Sequence, residues 1–210
     1  MVNTTDRREL EELMKKEGRL PPGQSLTVKF PILHYGSVPL FNPDIWRFKI
    51  WGEVEEEVSL NWEEFSRLPQ TEVKMDIHCV TRWSKFDTLW QGVAMSTLIE
   101  EGILRLKPDA AYVLQHAAGG YSTNLPLEIT RQKNFLLATH YEGKPLTPDH
   151  GAPLRGIVGN IPDSGITTPY FWKGAKWLIG LEFLTEDQMG FWEKSGYHNE
   201  GDIWKEQRMR

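Results

Sequence analysis

The sequence predicts an α+β fold of mixed short sheets with peripheral helices. Apolar and polar side chains alternate over several short stretches, which is the period of a half-buried strand. Irregular loops separate these stretches, and the 13 prolines are spread along the chain. The few helical patterns do not alternate regularly with the strands, so the sequence does not indicate the parallel sheet of a βαβ fold.

Composition places the chain among ordinary globular proteins and excludes several classes of function. It has 210 residues, a net charge of −5 and 40% hydrophobic residues, which fits one domain with short terminal additions. An acidic chain without a basic block indicates no nucleic-acid partner. No apolar run approaches the ~18 residues of a membrane-spanning helix, and the charged N-terminal residues predict no secretory signal. We therefore expect no membrane insertion and a cytoplasmic location.

The N-terminal region predicts a helical arm that joins a larger domain. Residues 4–17 carry a small apolar stripe and glutamate–lysine pairs at i,i+4 spacing, which favours a helix that Gly18 can end. Residues 21–23, Pro-Pro-Gly, then separate this helix from the body. We expect an N-terminal arm over residues 1–24 and a single domain over residues 25–210.

The clearest strand pattern ends at the only cysteine. Val73, Met75, Ile77 and Cys79 alternate with polar residues, which places one face of the strand in the core. The same reasoning predicts strands over the ranges 46–51, 73–79, 112–115, 135–139, 154–158 and 177–183.

Three capping-box patterns predict helices. In this pattern the N-cap side chain and a Glu or Gln three residues later satisfy each other's backbone N–H groups. The patterns are Asn61-x-x-Glu64, Thr97-x-x-Glu100 with a helix to about residue 106, and Thr185-x-x-Gln188 with a helix that Gly196 stops.

Cys79 is the only thiol of the chain, which excludes an internal disulfide, a CxxC zinc site and an iron–sulfur cluster. A lone cysteine on an alternating strand is most often a small buried hydrophobe. The alternative is a thiolate, either as a nucleophile or as a ligand for a soft metal. The six histidines contain no HExxH pattern, so a zinc hydrolase is not indicated.

Two segments are candidates for binding an anion. Gly151 in the loop before Arg155 lets the backbone approach a ligand, and a fixed arginine offers two parallel N–H donors to a phosphate. Lys173 and Lys176 flank a Gly-Ala pair, although lysines are ordinarily solvated surface charges. Neither a GxGxxG motif nor a P-loop occurs, so those nucleotide-binding folds are not indicated.

Five segments follow one another along the chain in a specific order. They are His34-Tyr35-Gly36-Ser37-Val38-Pro39, His78-Cys79-Val80-Thr81-Arg82-Trp83-Ser84 with Trp90-Gln91-Gly92-Val93, the run Gly143-Lys144-Pro145-Leu146-Thr147-Pro148-Asp149-His150-Gly151-Ala152-Pro153-Leu154-Arg155, Lys173-Gly174-Ala175-Lys176-Trp177-Leu178, and Phe191-Trp192-Glu193-Lys194-Ser195-Gly196-Tyr197. Together they resemble the sulfite oxidase family of molybdopterin oxidoreductases, and the resemblance covers about residues 26–204.

The resemblance implies an α+β catalytic domain of the sulfite oxidase type that binds molybdenum–molybdopterin, in which one pyranopterin dithiolene holds the metal. Cys79 would be the protein's thiolate ligand to molybdenum, a metal that accepts a further soft sulfur ligand. Tyr197 and Arg82 would act as catalytic residues, Tyr197 as a hydrogen-bond donor. The resemblance implies cofactor contacts by His34, Tyr35, Gly36, Cys79, His116, His150, Arg155, Lys173, Gly174, Ala175 and Lys176.

Departures from the family bear on the substrate. Sulfite-oxidising members have an arginine where this chain has Leu33, and paired arginines after the cysteine, where Arg82 here precedes Trp83 and Ser84. An oxyanion binds poorly without enough positive charge, so sulfite and nitrate are not the expected substrates. The Trp-Ser pair resembles the bacterial methionine sulfoxide reductase catalytic subunits.

We therefore predict a molybdenum oxidoreductase that carries out two-electron oxygen-atom transfer on a small substrate. No haem, flavin or iron–sulfur motif is present, so the electrons must be exchanged with an external donor or acceptor protein. One alternative is a non-catalytic pterin- or anion-binding module on the same fold. The observation that distinguishes it from an enzyme is whether Cys79 and Tyr197 meet in one pocket, as catalysis requires. Another is a thiol enzyme that uses Cys79 with His78 or His116.

Overall fold

Two mixed β-sheets with short helices at their edges form the protein, in a computed structural model that describes residues 4–166 and 168–210. This is the α+β arrangement of mixed short sheets that the sequence predicts. The helices are α1 (Thr4–Lys16), α2 (Trp62–Ser66), α3 (Met95–Glu100), α4 (Leu127–Thr130) and α5 (Phe191–Lys194), with 3-10 turns at Pro148–His150 and Phe171–Lys173. The strands are β1 (Ser25–Leu26), β2 (Arg47–Gly52), β3 (Val58–Asn61), β4 (Thr71–His78), β5 (Trp83–Val93), β6 (Tyr112–Ala117), β7 (Ser122–Pro126), β8 (Phe135–Tyr141), β9 (Lys144–Pro145), β10 (Arg155–Val158) and β11 (Leu178–Leu184).

The first sheet has the strand order β1-β5-β8-β10, with β4 paired to β5 and β9 paired to β8. In this sheet β1 runs parallel to β5, and the other pairs are antiparallel. The second sheet has the order β3-β2-β11-β6-β7, in which β11 and β2 are parallel. Each strand range that the sequence predicts corresponds to one of these strands, namely β2, β4, β6, β8, β10 and β11.

The longest strand, β5, is missed by the sequence analysis because polar residues occupy part of its buried face. Ser84 and Thr88 are both fully buried. The Ser84 hydroxyl lies 2.8 Å from Nδ1 of His78, and the Thr88 hydroxyl donates to the carbonyl of Met75 and accepts from the Trp90 indole. Hydrogen bonds remove the usual cost of burying these hydroxyls, and they also hide the apolar–polar alternation of a strand.

The first sheet is covered on both faces, which explains the continuous apolar sequence of β8. Phe135 and Leu137 belong to the main cluster between the two sheets, whereas Leu136 and Ala138 belong to a second cluster on the opposite face. Successive side chains of a strand point to opposite faces, so a strand that is buried on both faces needs apolar residues at every position.

Of the three helix starts predicted from capping boxes, only the first is confirmed. Asn61 forms a capping box with Glu64 at the start of α2. The second prediction is wrong in its bounds, because α3 starts at Met95 after Ala94 and ends at Glu100, and Thr97 lies buried within it. The third is also wrong, since the residues from 185 to 190 are not helical and Gly190 caps α5. Of the helices in the described part of the chain, none is both long and apolar enough to span a bilayer.

The predicted N-terminal helix is present as α1 and packs on the body of the protein. Met14 and Leu20 are buried with Leu26 of β1. Arg19 forms a two-pronged ion pair with the buried carboxylate of Asp76 in β4, with donor–acceptor distances of 2.7 and 2.9 Å. Residues 1–3 of the predicted arm lie outside the described residues, and the division into residues 1–24 and 25–210 stays a prediction.

Candidate active site

One cavity of about 270 Å³ brings together residues from distant parts of the sequence. Its volume lies just below the usual range for small-molecule pockets, about 300–1,000 Å³. Cys79 and Tyr197 both line it, so the two residues meet at one pocket. The predicted site residues that line the cavity are His34, Tyr35, Cys79, Arg155, Gly174, Lys176 and Tyr197.

Cys79 lies on the tight turn that joins β4 to β5. Its backbone N–H donates to the carbonyl of Trp83 at 2.8 Å, and the N–H of Arg82 donates to the carbonyl of Cys79 at 3.0 Å. Arg82 has a φ of +74°, a left-handed conformation that is uncommon outside glycine. The chain thereby reverses over residues 79–82 and holds the Cys79 side chain at the cavity.

Hydrogen bonds from the N-terminal and C-terminal regions hold this turn in place. They come from residues that no sequence pattern indicates. The Gln24 side chain donates to the carbonyl of Cys79 at 3.1 Å, and Arg208 donates to the carbonyl of Val80 at 2.7 Å. Neither residue belongs to a local motif, so only the three-dimensional structure brings them to the cysteine. They limit the movement of the turn that carries the thiol.

The Cys79 thiol is a buried group whose local contacts are polar. It is 7% exposed, and its sulfur lies 3.1 Å from the Thr81 hydroxyl. Burial raises the pKa of the Cys79 thiol, and the Thr81 hydroxyl and the positive charge of Arg208 offset part of that rise. The free thiol therefore stays protonated at neutral pH, whereas a bound metal would deprotonate it.

The thiol-enzyme alternative lacks the cysteine–histidine hydrogen bond that it requires. Nδ1 of His78 lies 2.8 Å from the Ser84 hydroxyl, and burial lowers the His78 pKa to about 3, so the ring is neutral. His116 pairs with Glu182 at 2.8 Å. Within the described residues, no histidine is hydrogen-bonded to the Cys79 sulfur.

Arg155 is a buried cation without a carboxylate partner. It is 1% exposed, and its guanidinium donates to the carbonyls of His150 at 2.9 Å and Gly156 at 3.2 Å and lies 4.4 Å from the Phe171 ring centre. Among the residues described, no acidic side chain forms an ion pair with it. Burial lowers the pKa of Arg155 to about 9. An unpaired buried charge costs free energy, so this guanidinium is suited to bind an anion from outside the protein.

Lys176 adds a second cation to the same wall of the cavity. Its ammonium donates to the carbonyl of Asp149 at 2.6 Å. Burial, with the nearby charge of Arg155, lowers the pKa of Lys176 to about 7. The two residues together match the charge of a phosphate or a similar dianion.

We expect the cofactor-free protein to bind sulfate more weakly at pH 8 than at pH 6, two values that bracket the pKa of Lys176 and stay below that of Arg155. The folded-state pKa of Lys176, about 7, lies below its ordinary value of 10.5, so the site loses a positive charge as the pH rises through 7. Sulfate itself stays a dianion over this range. The binding constant, measured from the sulfate dependence of thermal unfolding, should fall several-fold.

The control for this titration is a lysine that lies outside the cavity. Lys176→Met should bind sulfate weakly at both pH values, whereas Lys107→Met, which removes an exposed lysine paired with Glu53, should keep the pH dependence of the wild type. A wild-type affinity that does not change with pH would contradict the assignment of Lys176 to the anion site.

Aromatic side chains form the wall around Tyr197. The Tyr197 ring stacks on Trp192, with ring centres 5.1 Å apart, and meets Trp172 edge-on at 5.4 Å. The buried indole N–H groups of Trp83 and Trp172 have no protein partner among the described residues. Both tryptophans line the cavity, so this wall offers hydrogen-bond donors as well as apolar surface.

Two predicted cofactor residues of the loop segments do not line the cavity. Gly36 is exposed, with a φ of +76°. His150 stacks on Phe30 with ring centres 4.0 Å apart, and its carbonyl accepts the hydrogen bond from Arg155. His150 therefore contacts Arg155 through its backbone, and it is not among the residues that line the cavity.

Arg82 and His116 also lie away from the cavity, and the structure gives a physical reason for each. The left-handed backbone of Arg82 turns its side chain towards the carbonyl of Gly23, at 3.5 Å, so the geometry does not support a catalytic role. Alternation along β6 points His116 towards Glu182 and Trp51. We therefore leave both residues out of the proposed site.

The lysine segment is divided between the cavity and the protein interior. Gly174 and Lys176 line the cavity. The Lys173 side chain turns away from it into a buried ion pair with Glu193. The N–H of Ala175 donates to the Gln115 side chain at 3.1 Å, and the same side chain donates to the carbonyl of Lys173 at 2.6 Å. Gln115 thus supports the segment, a role that no sequence motif signals.

Comparison with known proteins gives a consistent result. The sequence model of the family "Oxidoreductase molybdopterin binding domain" matches residues 35–192. A Bacillus subtilis (strain 168) protein named uncharacterized oxidoreductase YuiH is 43% identical over 195 residues, which are 92% of this chain and 93% of that protein.

More distant relatives have established names. The Campylobacter jejuni protein-methionine-sulfoxide reductase catalytic subunit MsrP is 26% identical over 168 residues, covering 73% of this chain and 54% of the relative. The rat mitochondrial sulfite oxidase is 23% identical over 211 residues, covering 84% and 37%. This chain thus spans about half and about a third of their lengths.

A solved structure matches the fold. The sulfane dehydrogenase SoxCD from Paracoccus pantotrophus aligns with a TM-score of 0.63 and 18% identity, over 78% of this chain and 43% of that one. At this identity the match shows a shared fold and does not transfer an activity.

Proposed function

The chain belongs to the family of oxidoreductase molybdopterin-binding domains of the sulfite oxidase type, and from that premise we propose that it transfers an oxygen atom in a two-electron reaction with Cys79 as the protein ligand of molybdenum. Membership of this family makes the protein an oxidoreductase that binds molybdenum–molybdopterin. The identity of the metal ligand, the type of reaction and the substrate are the proposal.

One observation carries the proposal: the only thiol, the tyrosine and two cations line a single cavity. Cys79 and Tyr197 come from segments more than one hundred residues apart, and Arg155 and Lys176 come from two further segments. A soft sulfur ligand and an anion-binding wall are the two features that a metal held by a phosphorylated pterin requires of its protein.

The residues present fit this cofactor. Among the residues that the structure describes, no acidic side chain pairs with the buried guanidinium of Arg155, and together with Lys176 it would hold the phosphate of the pterin. Cys79 would bind the metal. His34, Tyr35 and Gly174 line the same cavity. They would contact the pterin, the part of the cofactor between its phosphate and its metal. When bound, the cofactor supplies the two-electron redox chemistry.

Tyr197 is the residue that we propose to contact the substrate. Its ring is held between Trp192 and Trp172, and within the described residues its hydroxyl has no hydrogen-bond partner. A hydroxyl that is held in place and is free to donate can bind the oxygen of a substrate and supply a proton as that oxygen leaves as water.

We propose an uncharged S-oxide or N-oxide as the substrate class, with the enzyme acting as a reductase. Near Tyr197 the cavity wall includes Trp172 and Trp192, and the cations that line the cavity, Arg155 and Lys176, are assigned to the phosphate. An oxyanion such as sulfite would be desolvated there without a paired charge. In the proposed reaction an S-oxide, two electrons and two protons give a sulfide and water.

The non-catalytic alternative is not favoured, because Cys79 and Tyr197 line the same cavity. An external protein that donates the electrons, and a location in the cytoplasm, stay predictions.

The proposal is tested by expression in a host that makes molybdopterin. We expect the purified protein to contain molybdenum and pterin in equal amounts and to oxidise a reduced viologen dye when dimethyl sulfoxide or trimethylamine N-oxide is added. Sulfite with ferricyanide should give a much smaller rate because of the missing cations. Protein that is folded and contains the pterin, but reduces neither oxide, would contradict the proposed reaction.

A further inference from the structure

A buried cluster of polar side chains lies behind the cavity and is not used by the proposed reaction. Lys173 and Glu193 are 1% and 0% exposed, and the Lys173 ammonium donates to Glu193 Oε1 at 2.7 Å. Neither side chain lines the cavity. A buried ion pair adds little net stability, so stability alone does not explain why this pair is buried here.

The cluster joins the two walls of the cavity. Lys173 ends the 3-10 turn Phe171–Lys173 and directly precedes the segment that carries Gly174 and Lys176. Glu193 lies in α5, which leads to Tyr197. We call the part of the cavity lining that carries Arg155 and Lys176 the cationic wall. The ion pair therefore connects the cationic wall with the segment that carries Tyr197.

Thr123 and Asn124 of β7 form hydrogen bonds with residues on both sides of Tyr197 in the sequence. The Asn124 amide oxygen accepts from Lys173 at 2.6 Å, and its NH₂ group donates to Asn199 at 3.0 Å and to Asp187. Glu193 Oε1 also accepts from the Thr123 hydroxyl at 2.8 Å. The chain is thus anchored to β7 four residues before Tyr197 and again two residues after it.

The same cluster reaches the aromatic contacts of Tyr197. The Lys173 ammonium lies 4.8 Å from the ring centre of Trp172, and Trp172 in turn meets the Tyr197 ring edge-on. Stacked and edge-on aromatic contacts have preferred geometries, so a shift of the turn that carries Trp172 would tilt the tyrosine.

We infer that the buried Lys173–Glu193 pair positions Tyr197 against the cationic wall, and that Lys173 contacts neither the cofactor nor the substrate. This inference rests on the proposed role of Tyr197, and it replaces the cofactor contact that the family resemblance implies for Lys173. Buried polar groups can specify one geometry even where they do not increase stability. Misplacement of a reacting group by about 1 Å can lower a rate as much as 10²-fold.

The first test uses cofactor-free protein labelled with 3-fluorotyrosine, so it does not depend on the proposed reaction. The chain has six tyrosines, and Tyr197→Phe identifies the fluorine signal of Tyr197. In the neutral pair Lys173→Met/Glu193→Gln we expect that signal to broaden, split or shift by more than its width. Lys173→Arg should preserve it. An unchanged Tyr197 signal in the folded neutral pair would overturn the inference.

A matched control removes an ion pair of the same length from the surface. Lys15 and Glu12 are exposed and also 2.7 Å apart, so Lys15→Met/Glu12→Gln should leave the Tyr197 signal unchanged. If the buried neutral pair does not fold, Glu193→Gln alone keeps an acceptor for Thr123 and is held to the same expectation.

The second test uses the loaded enzyme and dimethyl sulfoxide. The neutral pair should keep its molybdenum content and KM while kcat falls about tenfold. In a Tyr197→Phe background the same pair should lower kcat less than about twofold, because the residue it positions is already gone. Independent effects in the two backgrounds would overturn the inference. Failure of the wild type to reduce the oxide would count against the proposed function, and the fluorine spectra would still decide the positioning.

Discussion

Replacing Cys79 with serine is expected to remove almost all turnover while the fold is retained. Serine keeps the size of the side chain and can accept or donate at the Thr81 hydroxyl, which lies 3.1 Å from the sulfur. A serine hydroxyl is a harder and far less acidic ligand than a thiol, so it does not replace a thiolate on a soft metal. We expect the rate with dimethyl sulfoxide to fall on the order of 10³-fold, which corresponds to roughly 4 kcal/mol of transition-state stabilisation.

Thermal unfolding separates this loss from a loss of structure. Cys79→Ser should unfold within a few degrees of the wild type, and the control Thr97→Ser, at a position equally buried in α3, should keep full activity. A Cys79→Ser enzyme with more than about a tenth of the wild-type rate, roughly 1.4 kcal/mol, would be incompatible with thiolate ligation of the metal.

Replacing Arg155 with methionine is expected to remove the cofactor and to cost the cofactor-free protein little stability. The guanidinium is buried beside aromatic rings, and no acidic side chain in the described part of the chain pairs with it. A methionine of similar length therefore removes an uncompensated charge. Replacement of buried charges by apolar groups is often neutral or stabilising. The phosphate of the cofactor would in turn lose its deepest cation, at roughly 3 kcal/mol or more, a factor on the order of 10² in affinity.

The measurement is the molybdenum and pterin content of purified protein together with its unfolding temperature. Arg105 offers a matched control, because it is exposed and paired with Glu56 at 3.0 Å. Arg105→Met should retain the wild-type cofactor content. Full cofactor content in Arg155→Met would show that this arginine does not bind the phosphate, and the anion site would have to be reassigned.

Hydrophobic periodicity predicted the strands whose buried faces are apolar, and it failed where hydrogen bonds replace apolar packing. β8 is recognisable because it is buried on both faces. β5 is not, because Ser84 and Thr88 occupy its buried face and are satisfied by neighbours from β4. Among the three capping-box patterns, the helix start was predicted correctly only for Asn61, where both hydrogen bonds of the capping box form. At Thr97 packing decides the helix bounds, because this residue is buried in α3.

The sequence predicted those site residues that belong to the segments resembling the family. Cys79, Arg155, Lys176 and Tyr197 were singled out in that way, and all of them line one cavity. The directions of side chains were not predictable, since Lys173 lies three residues from Lys176 and yet turns into the interior.

Residues that support the site from outside the recognisable segments were missed altogether. Gln24, Gln115 and Arg208 all contact backbone carbonyls of the site segments. Their role depends on contacts between residues that are distant along the chain, which single-sequence patterns do not encode.

X-ray absorption at the molybdenum edge of the loaded protein tests most directly whether the sulfur of residue 79 binds the metal. Wild-type protein and the Cys79→Ser variant are compared at equal molybdenum content, so that only the atoms around the metal differ. We expect one sulfur neighbour fewer in the variant, with an oxygen neighbour in its place or none. The same number of sulfur neighbours in both proteins would contradict that expectation.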